Sequence, residues 1–353
     1  MDLVGEKTLP GMKVGIVTFS AAYNYGAALQ CRCLQEVLSG LGLDAYVVDY
    51  RPAYLTEPYK ILKPYYCKKP AILFQLPFRF WGARRRDRAF RRFQKAMPRV
   101  SCGTGGLDAV FFGSDQIWNP RICKGMDPVF FAGTEAFATT RNVSYAASDG
   151  SVKLSPLEAA EYQRFLKNFY RLGVREESLR ERLAGWGFSS VVTLDPVLLA
   201  GRPVLDGMAV SLRHHSAPYV LTYEAVDYPR VKVLARSFGH KVVSVAREPY
   251  SQGRNGYGPG EFVSLFREAS AIVTTSFHGV ALALLYHKDF YYVETGKASD
   301  DRIRNLLTAL GLTGRMVPEG GKPAAEEIDY VAVDRTLERL RTVSLNFIKE
   351  ALQ

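Results

Sequence analysis

Short apolar runs and helical stripes alternate along most of this chain. Val14 to Phe19 is an apolar run suited to a buried strand, Ser20 to Tyr25 is rich in turn formers, and a helix is predicted from about Gly26. On that helix Leu29, Cys33, Val37 and Leu41 recur every four residues and form one apolar stripe. Ala45 to Tyr50 reads as the next strand. Strand, helix and strand in this order predict a βαβ unit, and hence a parallel sheet.

The alternation continues with strands at Val110 to Gly113, Val143 to Ala147, Leu172 to Arg175 and Val191 to Leu194, and helices near 155–170 and 176–186. A turn-rich stretch from Ala200 to Pro218, with Gly201, Pro203, Gly207, His214 and His215, reads as a linker. A second set of strands follows at Tyr219 to Tyr223, Lys241 to Val245, Ala271 to Thr275 and Phe290 to Val293, again separated by helical patterns. From Val333 onward Leu337, Leu340, Val343, Phe347 and Leu352 keep helical spacing, which predicts a terminal helix able to pack back on the first domain. The fold class predicted is α/β: two Rossmann-like, doubly wound domains, residues 1–204 and 205–332, facing a cleft, with a final helix at 333–353. Between Arg51 and Ser101 the pattern fails. That Pro-, Tyr-, Arg- and Lys-rich stretch, near 51–105, is expected to be an insertion outside the first sheet.

Length agrees with two cores, because 353 residues exceed what one core usually supports. No segment approaches the roughly 20 apolar residues that a membrane-spanning helix needs. The first eleven residues carry Asp2, Glu6 and Lys7 and no apolar run, so the chain is expected to stay in the cytoplasm. The five cysteines then read as reduced thiols. No His/Cys cluster stands near Cys31 and Cys33, so no metal site is expected. A net charge of +11 favours anionic partners without choosing among them.

In open parallel sheets ligands bind beyond the carboxyl ends of the strands. Those positions are unusually polar here. They are Asn24-Tyr25-Gly26-Ala27 after the first strand, Gly113-Ser114-Asp115-Gln116-Ile117-Trp118-Asn119 after the third, and Ser148-Asp149-Gly150 after the next. Amides, hydroxyls and aromatic faces of this kind bind sugars, although Gly, Asn, Ser and Asp also serve ordinary turns and caps. In the second domain Ser276-Phe277-His278-Gly279 joins a strand to a helix, where a phosphate would meet backbone N–H groups and His278 could add a hydrogen bond or a proton. Arg175 ends another strand; its guanidinium either forks onto an oxyanion or pairs with Asp195 or a neighbouring Glu. No G-x-G-x-x-G, P-loop or G-x-S-x-G motif is present.

The segments Asn24 to Gln30, Gly113 to Asn119, Ser144 to Ser148, Val174 to Glu176, Leu194 to Pro196 and Ser276 to Gly279 occur in the order seen in the polysaccharide pyruvyl transferase family. The chain resembles that family from about Lys13 to Leu312. The resemblance implies a fold similar to GT-B glycosyltransferases and transfer of pyruvate, as a ketal, from phosphoenolpyruvate to a saccharide. That saccharide is often lipid-linked or destined for capsule or wall polymer. No cofactor is implied beyond phosphoenolpyruvate as co-substrate. Ketal formation requires an acid, a base and a cationic cradle, and the resemblance points to His278 as phosphate ligand or acid, Arg175 as carboxylate or phosphate clamp and Asp115 as base. Members of the family often carry Arg-x-His where this chain has Ser276-Phe277-His278. Arg175, Lys241, Arg247 or Lys297 would then supply the missing charge beside Ser276 and Gly279 on the donor side. Asn24, Tyr25, Ser114, Gln116, Trp118, Asn119 and Tyr145 are the expected acceptor contacts. A glycosyltransferase using a nucleotide sugar is the alternative.

Arg79 to Arg99 carries nine Arg or Lys residues against the single acid Asp87, interleaved with Phe80, Trp81, Phe90, Phe93 and Met97. Phe90, Phe93 and Met97 form one helical stripe flanked by arginines. That pattern predicts peripheral contact with an anionic membrane, or else packing of the stripe on the first domain. Nucleic acid is not an expected partner, since the basic residues concentrate in this one insertion.

Overall fold

The computed structural model describes residues 11–59, 70–103, 105–212, 218–223, 229–245, 256–297, 300–318, 321 and 326–353; for 70–79 the backbone alone is described. Seven strands build the first sheet: β1 (Lys13–Val17), β2 (Asp44–Asp49), β3 (Arg99–Ser101), β4 (Ala109–Phe112), β5 (Arg141–Ala147), β6 (Arg171–Val174) and β7 (Val191–Val192). Their order is β3-β2-β1-β4-β5-β6-β7 and every pairing is parallel. Between successive strands run α1 (Tyr25–Gly40), α2 (Ala53–Thr56), α3 (Pro70–Lys95), α4 (Pro120–Cys123), α5 (Pro156–Leu166) and α6 (Glu177–Gly185). β4 is buried on both faces, which is why it reads as a continuous apolar run rather than an alternating one.

α7 (Pro196–Met208) leads into the second sheet, formed by β8 (Tyr219–Tyr223), β9 (Lys241–Val245), β10 (Ala271–Thr274), β11 (Asp289–Val293) and β12 (Met316–Val317). These are parallel in the order β12-β11-β10-β8-β9 and are linked by α8 (Pro229–Ser237), α9 (Pro259–Glu268), α10 (Phe277–Leu285) and α11 (Asp300–Ala309). Strand order reverses between β1 and β4 in the first sheet and between β8 and β10 in the second. Each reversal opens a crevice at the carboxyl edge.

The two domains share apolar packing. Ala28, Leu29 and Cys33 of α1 and Val197, Leu198 and Leu205 of α7 belong to the same buried cluster as Phe262, Val280 and Leu221 of the second domain. α12 (Tyr330–Leu352) spans both domains. Its Val333 and Leu337 join that cluster, while Phe347, Ile348, Ala351 and Leu352 close over Val14, Ile16, Phe111 and Val143 of the first sheet.

Three expectations are corrected. The stretch read as a linker from Ala200 is the body of α7 as far as Met208; it reads as turn because Gly201 breaks the helix at φ 73° and Pro203 follows. His214 and His215 lie outside the described residues. The insertion is not wholly outside the sheet, for its last residues form the edge strand β3, too short to show a period. The stripe Phe90, Phe93 and Met97 does not face lipid. Phe90 is fully buried and stacks on Tyr23, and Met97 and Phe93 pack with Cys31 and Val47. No described helix is long and apolar enough to cross a membrane.

Candidate active site

The crevices of the two sheets meet where α1 and α10 begin. Asn24 caps α1 by accepting a hydrogen bond from the Ala27 N–H at 3.2 Å. Gly26, in that first turn, carries no side chain, and the ring of His278 occupies the place one would take: a Cβ there would lie 2.1 Å from Nδ1. On the other side, Thr274 Oγ1 accepts from the Ser276 N–H at 3.0 Å and fixes the turn out of β10. Gly279 is equally required, since its Cβ would strike the same hydroxyl at 2.2 Å. His278 is thus held in the first turn of α10 and against the first turn of α1.

A buried charge cluster lies beside the ring. Arg175 follows β6 and Asp195 follows β7, and Arg175 Nη1 donates to Asp195 Oδ2 at 3.2 Å. The same oxygen accepts from Ser114 Oγ at 3.2 Å and lies 3.6 Å from His278 Nε2, while Oδ1 accepts from the Val197 N–H at 3.0 Å. Burial alone would push the Asp195 carboxyl up. His278, Arg175 and the Val197 N–H outweigh it and hold this group well below the usual carboxylate range. Asp195 therefore presents a fixed negative charge to the imidazole.

Arg175 has two further carboxylates at 3.9 Å, Asp115 through Nη2 and Glu176 through Nε, and its guanidinium lies 5.4 Å from the centre of the Phe277 ring. Glu176 is anchored from behind, accepting from Ser148 Oγ at 2.6 Å. Yet Nε and Nη2 of Arg175, Oε2 of Glu176 and Nε2 of His278 are buried without a hydrogen-bond partner. Buried polar atoms in folded proteins are nearly always paired, so their concentration here makes this junction the candidate site for a polar ligand.

Arg302 joins this group, and the sequence reading missed it. Its Nε is also buried without a partner. Burial, followed by repulsion from Arg175, lowers its pKa, against the pull of Glu176, Asp115 and Asp195. It stands in the first turn of α11, beyond β11, the neighbour of β10. Asp300 sets that turn: its carboxylate accepts from Tyr292 Oη at 2.5 Å, Thr295 Oγ1 at 2.7 Å, and the N–H groups of Thr295 and Gly296 at 2.8 and 2.9 Å. The sequence reading reached the loop out of β11 at Lys297 and stopped short of Arg302, which lies in the first turn of the helix that follows.

Of the other expected donor residues, Ser276 and Gly279 lie at this junction, and Lys297 is exposed on the loop out of β11. Lys241 does not belong with them. It is the first residue of β9 and so stands at the amino edge of the sheet. Arg247 lies outside the described residues. On the acceptor side, Ser114 is buried under Asp195; Gln116 Oε1 accepts from Asn119 Nδ2 at 2.8 Å, and Asn119 caps α4. Asp115 is partly exposed at the mouth of the crevice, with φ 77°.

The aromatic residues expected to stack on sugar are corrected. Trp118 is fully buried, stacked on Phe131 at 5.5 Å, with Nε1 donating to the Phe130 carbonyl. Tyr145 is fully buried and donates to the Leu194 carbonyl at 3.0 Å. Tyr25 is stacked on Phe262 at 4.3 Å and donates to the Tyr257 carbonyl at 2.7 Å, which makes it a pin between domains. Each ring buries its apolar face and satisfies its polar atom internally, leaving no surface for a ligand.

The family profile described as polysaccharide pyruvyl transferase matches residues 24–296, most of the chain. The chain belongs to this family. No curated protein matches it. Among solved structures, the S. aureus MnaA–UDP co-structure overlaps 94% of this chain and 88% of its own, with 12% identity and a TM-score of 0.44. The glycosyltransferase SnogD from Streptomyces nogalater overlaps 97% and 100%, with 13% identity and a TM-score of 0.41. The segments that suggested the pyruvyl transferase family meet in one place: Asn24–Gln30 under His278, Gly113–Asn119 and Leu194–Pro196 through the Ser114–Asp195 bond, and Ser144–Ser148 and Val174–Glu176 through the Ser148–Glu176 bond.

Proposed function

We propose that this protein transfers the pyruvyl unit of phosphoenolpyruvate to two hydroxyls of a saccharide, forming a ketal in the assembly of a cell-surface polymer. The observation that carries this reading is Arg175, buried against the Asp195 that also faces His278 and with two nitrogens free of hydrogen-bond partners, together with the half-buried Arg302, whose Nε is likewise unpartnered and which feels the charge of Arg175. Phosphoenolpyruvate bears its carboxylate and its phosphate on one and the same carbon. Two fixed guanidinium groups and the amino end of α10 suit that charge pattern.

In this scheme Arg175 and Arg302 clamp the carboxylate and phosphate, and Arg302 supplies the charge that other members place at the position of Ser276. His278 delivers a proton to the methylene carbon while Asp195 stabilises the ring. One sugar hydroxyl attacks the adjacent carbon, phosphate departs, and the second hydroxyl closes the ketal. Of the two hydroxyl protons, one replaces that spent by His278 and the other leaves with phosphate. Asp115, the carboxylate at the crevice mouth, accepts the proton from the attacking hydroxyl. The acceptor is then held by the first domain, along the loop from Asp115 to Asn119. The test is mass spectrometry of candidate saccharides incubated with the protein and phosphoenolpyruvate. Pyruvylated product supports the scheme. Thermal stabilisation by nucleoside diphosphates alone, with no product from phosphoenolpyruvate, would replace it with a nucleotide-sugar transferase.

A further inference from the structure

Outside the cleft, α3 and the second domain enclose two adjoining hollows, one of about 570 Å3 lined by Trp81, Arg84, Arg88 and Arg92, the other of about 910 Å3 reaching Leu212, Lys241 and Tyr257. Arg85, Arg92 and Glu261 line both, making them one groove. Arg84, Arg88 and Arg92 recur every four residues, so their side chains leave one face of α3 roughly 6 Å apart. Glu261 is the one acid of the lining and is engaged by Arg85 at 3.5 Å. Among the described residues none of Arg84, Arg88, Arg92 and Lys241 has a carboxylate at ion-pair distance. Trp81 is 63% exposed at the rim, a flat apolar face beside the guanidinium groups.

We propose that this groove binds the anionic part of the acceptor: a saccharide chain carrying phosphate or carboxylate groups beyond the sugar that receives pyruvate. Guanidinium groups fork onto such oxyanions, and an indole face stacks on a sugar ring. A bilayer fits less well. The groove is concave, and Phe90 and Met97 of the apolar stripe that would enter lipid are buried, with Phe93 half-buried between them. Nucleic acid fits less well too, because the cations do not spread over a broad face and the far wall is apolar at Leu212. The groove is also tied to the site: Tyr257 in its wall accepts the hydrogen bond from Tyr25, whose neighbour Gly26 lies under His278. The proposal rests on the transferase reading above, and its test separates the two.

The full chain is titrated by calorimetry, at physiological salt, with a phosphodiester-linked oligosaccharide and with its uncharged counterpart. Phosphatidylglycerol vesicles and single-stranded RNA are titrated in parallel, and phosphoenolpyruvate affinity is measured separately. The charged saccharide is expected to bind well above the neutral one. Arg84→Gln/Arg88→Gln/Arg92→Gln should weaken it roughly tenfold or more, as three surface ion pairs in the middle of their usual range would, and Trp81→Ala by a few-fold. Phosphoenolpyruvate affinity should not change in either variant. Equal binding of both saccharides, wild-type binding by the triple variant, or saturation by vesicles or RNA without saccharide binding would overturn the proposal. Loss of charged-saccharide binding in the variants, in a protein that does not bind phosphoenolpyruvate, would leave the groove standing and remove the pyruvyl reading instead.

Discussion

Arginine serves two regions of this molecule in opposite ways. At the junction of α1, α10 and β6 the Arg175 side chain is 2% exposed, boxed in by Asp195, Asp115 and Glu176, and still has two nitrogens without partners. On α3 the guanidinium groups of Arg84, Arg88 and Arg92 stand in solvent with no carboxylate partner among the described residues. A buried guanidinium costs a large desolvation that only fixed partners and ligand offset, so its geometry is narrow and its contribution large. An exposed one is screened, adaptable and individually weak. The first arrangement suits chemistry on a small, compact anion, the second the capture of a long flexible one.

The largest effects are therefore expected where a buried group is displaced. His278→Ala should lower turnover about 100-fold or more in a folded protein, the usual cost of losing a general acid. Gly26→Ala should reproduce most of that loss without touching His278, because the added methyl takes the place of the imidazole. Near wild-type turnover in Gly26→Ala would show that the ring does not work from this position.

Next in size, Arg302→Gln should weaken phosphoenolpyruvate binding by roughly 10- to 100-fold, the range for a hydrogen bond to a charged group. Ser276→Arg in the same chain should restore part of it, measured by calorimetry. Restoration would show that the charge matters more than the element that carries it. Arg175→Lys should cost about tenfold in donor affinity although the charge is kept, since an ammonium cannot fork between Asp195 and an oxyanion. Unchanged affinity would leave Arg175 as an internal ion-pair partner of Asp195 and nothing more.

Smaller effects are expected in stability against pH, and they distinguish two buried carboxylates. Asp195 is depressed, so its contribution is present above its unfolded value and is lost as pH falls through the folded one. Asp149 is the reverse. Burial, with a further push from Glu176, outweighs Arg182 and raises it from 3.8 to about 6. Its contribution is full below 3.8 and is lost as pH rises through about 6. In melting temperatures from pH 3 to 8, Asp195→Asn should flatten the acid limb and Asp149→Asn the slope between about 4 and 6. The smallest effect belongs to the α3 triple variant, whose unfolding free energy should stay within about 0.5 kcal/mol of wild type.

Much of this is legible in the sequence. β1 and β4 show themselves because both faces are covered, and the strand-end rule led to Arg175, Asp115 and His278 because the sheet edge is where side chains stay free of the core. Trp118, Tyr145 and Tyr25 misled because an aromatic in a polar run reads the same whether its ring meets sugar or Phe131, Phe347 or Phe262. Arg302 was hidden because no local pattern says that β11 lies next to β10. The membrane reading took a correct helical period on α3 and gave its apolar face the wrong neighbour. Periodicity says which face is buried and not against what.

The course of α12 bears on how the protein is made. The apolar floor formed by Val14, Ile16 and Phe111 comes from the first third of the chain, yet Phe347, Ile348 and Leu352 cover it. On a ribosome the first domain therefore emerges with that floor open to water, and it stays open until residues beyond 330 have been synthesised and have reached back. Such a nascent chain is exposed to aggregation throughout, because domains that fold as they emerge normally close their own cores. A chain stopped near residue 330 should fail as a whole, losing the solubility of the first domain although every strand of its sheet is present.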